Sequence, residues 1–245
     1  MAEAWHDGTD MKESPLNPTH TKIGAQMAQT EGWRMPRAFR SLVEEHLAAR
    51  SACAVFDISH ISKFCVLGNG ALAWLEGIFG RGVSACHDGG CVSAQLLGAN
   101  GKAVDTLALL RESAGRFLLL GHASAEEQSL ATLREKRTHA ALEIQQVTEQ
   151  WCAMALTGPQ APDVLSRVLR GIEQPGPRRF SRFIYQRQEL ILAQLGLHEY
   201  PQPDLPTAYE LLCPAISGIS WYESLIAAGA QPCGSATRET LRMKY

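Results

Sequence analysis

The sequence predicts an α+β fold, on three observations. The chain has 245 residues, 45% of them hydrophobic and 20% charged, a balance typical of a globular protein with a sizeable core. Segments with strand-like alternation and segments with helical spacing follow one another along the chain. They do so without the regular strand–helix rhythm of a parallel sheet, and no internal repeat organises them. The length suits one large domain or two small ones.

The elements can be read in order. Residues 1–13 are polar, lack the apolar core of a signal peptide and read as a flexible tail. Residues 41–50 read as a helix, with Leu42, Glu45, His46 and Ala49 at helical spacing. Residues 55–60 look extended and 63–67 read as a strand. Asn69-Gly70 then turns the chain into a helix carrying Leu72, Leu75, Ile78 and Phe79. Residues 104–111 and 116–120 read as strands joined by the Ser113-Ala114-Gly115 turn. Ser124 with Glu127 forms the pattern of a capping box ahead of Leu130 and Leu133. An apolar strand opens at Trp151, and Gly158-Pro159 starts a helix containing Val164, Leu165, Val168 and Leu169. Residues 180–194 alternate like a hairpin, and Pro201, Pro203 and Pro206 mark an irregular loop. A short strand at 209–213 precedes a helix over 221–228, stopped by Gly229.

Composition excludes several functions. A net charge of −2, from 23 basic and 25 acidic residues, is not that of a general nucleic-acid binder. No apolar run is long enough to span a bilayer, so the expectation is a cytoplasmic protein. The seven cysteines include no C-x-x-C pair. Cys86, His87 and Cys91 are the closest cluster, and thiols in a reducing cell explain them more readily than a metal does. Walker, G-x-G-x-x-G and G-x-S-x-G motifs are absent, and the eight histidines are too dispersed to single out a catalytic one.

A set of ordered blocks is far more specific. Gly24-x-x-Met27 and Gly32-Trp33-x-Met35-Pro36 are followed by Glu44-Glu45-His46-x-Ala48-x-Arg50 and Val55-Phe56-Asp57-Ile58-Ser59-His60. Leu156-x-Gly158-Pro159-x-Ala161 and Pro232-Cys233-Gly234-x-x-x-Arg238-x-Thr240-Leu241-Arg242 come later. Together these blocks resemble the glycine cleavage system T-protein (aminomethyltransferase) family along nearly the whole chain. The resemblance implies an α+β fold of two interlocked subdomains, one from 14–57 and 145–245, the other from 58–144. It also implies a further C-terminal barrel-like domain, before which this sequence ends at Tyr245.

By the same resemblance the chain has a tetrahydrofolate site. In the family an aminomethyl group arrives on the lipoyl arm of an H-protein, folate nitrogen takes the methylene, and ammonia leaves. Glu210 matches the glutamate that holds the pterin, where a carboxylate suits paired N–H donors. Arg238 matches an arginine lining the folate site, although a salt bridge near a helix end explains it equally well. The family's catalytic acid is the second of two consecutive acids. Here Asp105 keeps the first position and Thr106 occupies the catalytic one, where it can carry no negative charge. Neighbours on a strand face opposite ways, so Asp105 could substitute only through a bulge or register change.

Other family positions also depart. Ser93 stands for a tyrosine, Gly121 for an asparagine, and residues 195–199 replace a T-G-Y-T-G stretch, with Tyr200 placed to stand in for the lost tyrosine. Two readings follow. One is a folate-dependent aminomethyltransferase. The other is a catalytically impaired accessory or scaffold protein on the same fold, similar to the sarcosine oxidase gamma subunit. The K-G-C-x-x-G-Q-E motif of the folate-binding iron–sulfur repair proteins is absent. For partners, Arg178, Arg179, Arg182 and Arg187 suggest docking of an acidic protein such as an H-protein, with a solvated basic hairpin as the alternative. An apolar surface left exposed by a missing domain would favour a protein partner or a homodimer.

Overall fold

The computed structural model describes residues 11–137, 141–195 and 208–242. The chain begins with β1 (Lys12–Glu13), α1 (Asn17–Lys22), β2 (Gln26–Thr30) and β3 (Trp33–Ala38). These three strands form a small sheet in the order β1-β3-β2. Glu31 and Gly32 at the β2–β3 turn have φ of 49° and 81°. Two left-handed residues in a two-residue loop match the right-handed twist of the strands they join.

Next come α2 (Leu42–Ser51), β4 (Ala54–Asp57), β5 (Ser62–Leu67), α3 (Ala71–Phe79), α4 (Gly82–Ala85), β6 (Gly90–Leu97), β7 (Ala103–Ser113) and β8 (Arg116–Gly121). Then follow α5 (Glu126–Glu135), β9 (Glu143–Gln146), β10 (Trp151–Thr157), α6 (Ala161–Val168), β11 (Arg179–Tyr185) and β12 (Gln188–Gln194). The chain closes with β13 (Ala208–Pro214), α7 (Gly218–Ala227), β14 (Gln231–Cys233) and α8 (Ser235–Arg242).

Among the described residues, eleven strands form one mixed sheet in the order β14-β4-β10-β13-β12-β11-β6-β7-β8-β5-β9. Its two halves meet at a narrow seam, where Arg179 of β11 pairs with Gly90 of β6. Strand alternation then builds three cores. Met154 and Leu156 of β10 face one outer core with Val164 of α6 and Leu225 of α7. Leu107 and Leu109 of β7 face a second with Leu75 of α3 and Leu133 of α5. The intervening residues, Ala153, Ala155, Ala108 and Leu110, face a third core shared by both halves and closed by Ala48, Ala49 and Leu241. The predicted α+β class is the observed one.

Two local readings change. Ser124 does not cap α5: a 3₁₀ turn over Ala123–Ala125 intervenes, and α5 has no side-chain cap. The Ser124 backbone N–H instead donates to Glu31 Oε2 at 3.3 Å, so a contact from the β2–β3 turn displaces the local pattern. Pro159 precedes α6, and Pro162 is the proline of its first turn. The reciprocal box that does form is Ser41 with Glu44, at the start of α2.

Helix α2 turns Glu45 inward and leaves Leu42, Val43 and Leu47 exposed. Glu45 is 1% exposed. Its Oε1 accepts from the backbone N–H of Phe39 (2.7 Å) and Arg40 (3.1 Å), and its Oε2 from Gly234 N (2.8 Å) and Thr237 Oγ1 (2.6 Å). Gly234 must be glycine here, because a Cβ would overlap the Arg37 carbonyl. One carboxylate thus fixes α8, and with it Arg238. Replacing Glu45 with Ala strands several buried donors and should cost about 3 kcal/mol in urea unfolding. A loss under about 1 kcal/mol would mean that water takes over its bonds. No helix among the described residues is long and apolar enough to cross a membrane.

Candidate functional site

A cleft opens at one end of the shared core, between the two half-sheets, with a volume of about 480 Å³ including its mouth. Thr106, Glu210 and Arg238 all line it. Glu210 sits on β13 between Ala155 of β10 and Ala193 of β12. These small neighbours leave room above the carboxylate. Its Oε2 is buried and has no hydrogen-bond partner. Burial pushes the Glu210 carboxyl up to about 7, against the pull of the Lys63 ammonium.

Lys63, on β5, is fully buried. Its Nζ donates to the carbonyls of Ser59 at 2.9 Å and Ile61 at 2.8 Å. Burial pushes it down to about 8, opposed by acidic groups that include Asp57, Glu126 and Glu210. The ammonium therefore holds the loop between β4 and β5, from which His60 and Ile61 reach the cleft. A lysine at the head of an apolar strand gave no sequence signal of this role.

Thr106 faces the cleft from β7, on the side of Ala108. Asp105 faces the other way, with Leu107 and Leu109. A bulge lies beside it, since Leu96 pairs with Asp105 and Leu97 with Ala103, yet it does not turn Asp105 into the cleft. Asp105 Oδ1 accepts from the Thr106 N–H (2.7 Å) and from His122 Nδ1 (2.7 Å). Its Oδ2 accepts from the His122 N–H (3.2 Å) and Ser129 Oγ (3.2 Å). His122 in turn lines the cleft. A side chain at Gly121 would overlap Asp105 Oδ2 and lie 2.8 Å from Ser62 Oγ. The glycine therefore makes space for Asp105, and a side chain there would not point into the cleft.

The remaining predicted residues divide. Arg238, on α8, is buried and borders the cleft. Ser93 is exposed on β6 opposite Ala108 and is not among the lining residues. Tyr200 and residues 196–207 as a whole lie outside the described residues. Sequence reasoning did not single out Glu31, His60 or His122, all of which line the cleft. His60 could have been noticed inside the Val55–His60 block; Glu31 reaches the site only through the hairpin turn.

The four arginines do not form one patch. Arg182 donates to Glu112 (2.6 Å) and Glu189 (2.7 Å) and lies 5.5 Å from the Trp151 ring centroid. Arg178 and Arg179 stand at one end of β11 and Arg187 beyond the other, about 20 Å away at strand spacing. The seven cysteines are unpaired thiols, and burial pushes Cys53 and Cys91 up to about 12. Among the described residues no group of three His, Cys, Asp or Glu is placed to hold a metal.

Comparisons with known proteins agree with the fold. The aminomethyltransferase of Leptospira interrogans is 29% identical over 95% of this chain, and that of Chlorobium chlorochromatii 31% identical over 96%. The chain spans 63% and 64% of those two relatives. The crystal structure of glycine cleavage system aminomethyltransferase T from Bartonella henselae superposes with a TM-score of 0.83 at 24% identity, over 95% of this chain and 62% of that one. A chain of heterotetrameric sarcosine oxidase from Corynebacterium sp. U-96 shares the fold at a TM-score of 0.52 and 13% identity, over 83% of this chain and 94% of that one. Residues 16–245 match the GCVT N-terminal domain, and the chain belongs to that aminomethyltransferase family.

Proposed function

We propose that the cleft binds tetrahydrofolate and that the chain acts as an aminomethyltransferase-like protein, passing a one-carbon unit from an aminomethyl-lipoyl carrier to folate. The observation that carries this reading is Glu210: a carboxylate that lines the cleft bordered by Arg238, with its buried Oε2 lacking a hydrogen-bond partner. A pterin's adjacent N–H groups would pair with this carboxylate in parallel, and Arg238 suits a carboxylate or carbonyl on the same ligand. The carrier would be a lipoyl-bearing H-protein. A cytoplasmic setting fits seven unpaired thiols.

Calorimetric titration with tetrahydrofolate under reducing conditions tests the reading. Micromolar affinity is expected, and no heat of binding at millimolar folate would reject it. Thr106 favours the second reading, an accessory protein with impaired catalysis, because no carboxylate stands at the family's acid position. Thr106→Asp places a negative charge in the cleft near the carbon that becomes electron-poor during transfer. It should raise the transfer rate about tenfold. Unchanged turnover with folate still bound would show that position 106 does not limit the reaction.

A further inference from the structure

Asp105 and His122 form a pair that the family resemblance does not account for. Asp105 is held by four hydrogen bonds and its side chain is 1% exposed, whereas the His122 side chain is 45% exposed and lines the cleft. The carboxylate grips His122 twice, at the backbone N–H and at Nδ1. A carboxylate that accepts from Nδ1 fixes the imidazole tautomer and leaves Nε2 as the basic nitrogen. The acid that cannot face the cleft is thus connected to a side chain that does. Thr106 beside it can exchange no proton.

We propose that His122 is a catalytic residue of this cleft and Asp105 its positioning residue, so that the proton handling expected of an acid at position 106 passes to an imidazole. The inference rests on the folate reading above. In the transfer, two folate N–H groups each form a bond to the methylene carbon, while its bonds to the amine nitrogen and to the carrier sulfur break. One proton ends on the amine, which leaves as ammonia, and the other on sulfur, which leaves as the thiol. His122 Nε2 takes the first proton as the nitrogen–carbon bond forms and gives it to the departing amine, which regenerates neutral imidazole. No oxidant or reductant is needed. Besides Asp105, the ionisable groups among the described residues that share the cleft are Glu31 from the β2–β3 turn, His60 from the β4–β5 loop, Glu210 from β13 and Arg238 from α8.

The test uses the full chain, tetrahydrofolate and aminomethyl-loaded H-protein. His122→Gln keeps an N–H donor for Asp105 but cannot take up or release a proton near neutral pH. Its kcat should fall about 100-fold while the KM for folate stays within about threefold, and the wild-type pH profile should lose one ionisation. Asp105→Asn should lower kcat and move the same ionisation. Because that variant removes a buried carboxylate and can fail to fold, the 15N spectrum of His122 in the wild-type chain supplies a second measurement, with the proton expected on Nδ1. A His122→Gln protein that turns over like the wild type, or a proton found on Nε2, overturns the inference and leaves folate binding standing. Folate binding with no transfer by the wild-type chain also overturns it. Absence of folate binding removes both the inference and the reading beneath it.

Discussion

Replacing Glu210 with Gln should weaken tetrahydrofolate binding about 100-fold, and should make the folded protein less sensitive to pH between about 4.5 and 7. Both effects come from one buried group. A carboxylate can accept two N–H bonds in parallel, whereas an amide offers one acceptor and opposes the second donor with a donor of its own. Losing one charge-assisted bond and stranding its partner is worth about 3 kcal/mol, the scale of the expected affinity loss. The folded carboxyl is pushed from 4.5 up to about 7. Between those values the folded chain keeps a proton that the unfolded chain has released, so stability falls as pH rises. The full shift corresponds to about 3 kcal/mol. Urea unfolding of wild type and variant should give a difference that moves in the variant's favour by about that amount from pH 4 to pH 8. A difference that stays flat would mean that Glu210 ionises freely. Ligand binding has the linked signature: near neutral pH, pairing with N–H donors favours the carboxylate, so folate should bind with proton release and more tightly as pH rises through 7.

What was legible in the sequence and what was not separates along physical lines. Helix α3 and strands β8 and β10 bury one apolar face or a continuous apolar run, and their periodicity is visible in a short window. The β11–β12 hairpin showed itself by alternation, and its turn at Gln186 and Arg187 has positive φ at both residues. Strands β2 and β3 lack that clarity, because Gln26–Thr30 carries mostly polar residues and is placed by pairing with β3. Thr106, Glu210 and Arg238 come together from residues far apart in sequence, and only the family resemblance brought them to one list. What no window could show is direction. The strand rule said that Asp105 points away from Thr106, and it does; the sequence did not say that His122, seventeen residues on, would stand between Asp105 and the cleft. The Ser124 pattern misled for the same reason, since a carboxylate ninety-three positions away in the chain claims its N–H.

Asp57→Ala should be among the most destabilising single changes in this protein, at about 4 kcal/mol or about 12 °C in Tm, although Asp57 lies outside the cleft. Its side chain is fully buried. Oδ2 accepts from His20 Nε2 at 2.9 Å and from Ser14 Oγ, and Oδ1 accepts from the Ser59 N–H at 2.9 Å. Tyr222 packs edge-on against the His20 ring at 5.1 Å, so the imidazole cannot turn away to find another acceptor. Truncation leaves three buried donors facing a void. Burial by itself pushes the Asp57 carboxyl up, but the bonds from His20, Ser14 and Ser59 outweigh it and hold the group below its ordinary 3.8. A folded value below the unfolded one gives stability that is present above about 3.8 and lost as pH falls through the folded value. The gap between wild type and Asp57→Ala should therefore narrow below pH 4. Asp57→Asn, which keeps an acceptor but no charge, should lose roughly half as much. The bond to Ser59 also sets the start of the loop that carries His60 and Ile61, which Lys63 holds from the other side. Asp57→Ala should consequently weaken folate binding without touching a lining residue. A stability loss under about 1 kcal/mol, or a gap that does not narrow in acid, would show that the carboxylate does not organise this region.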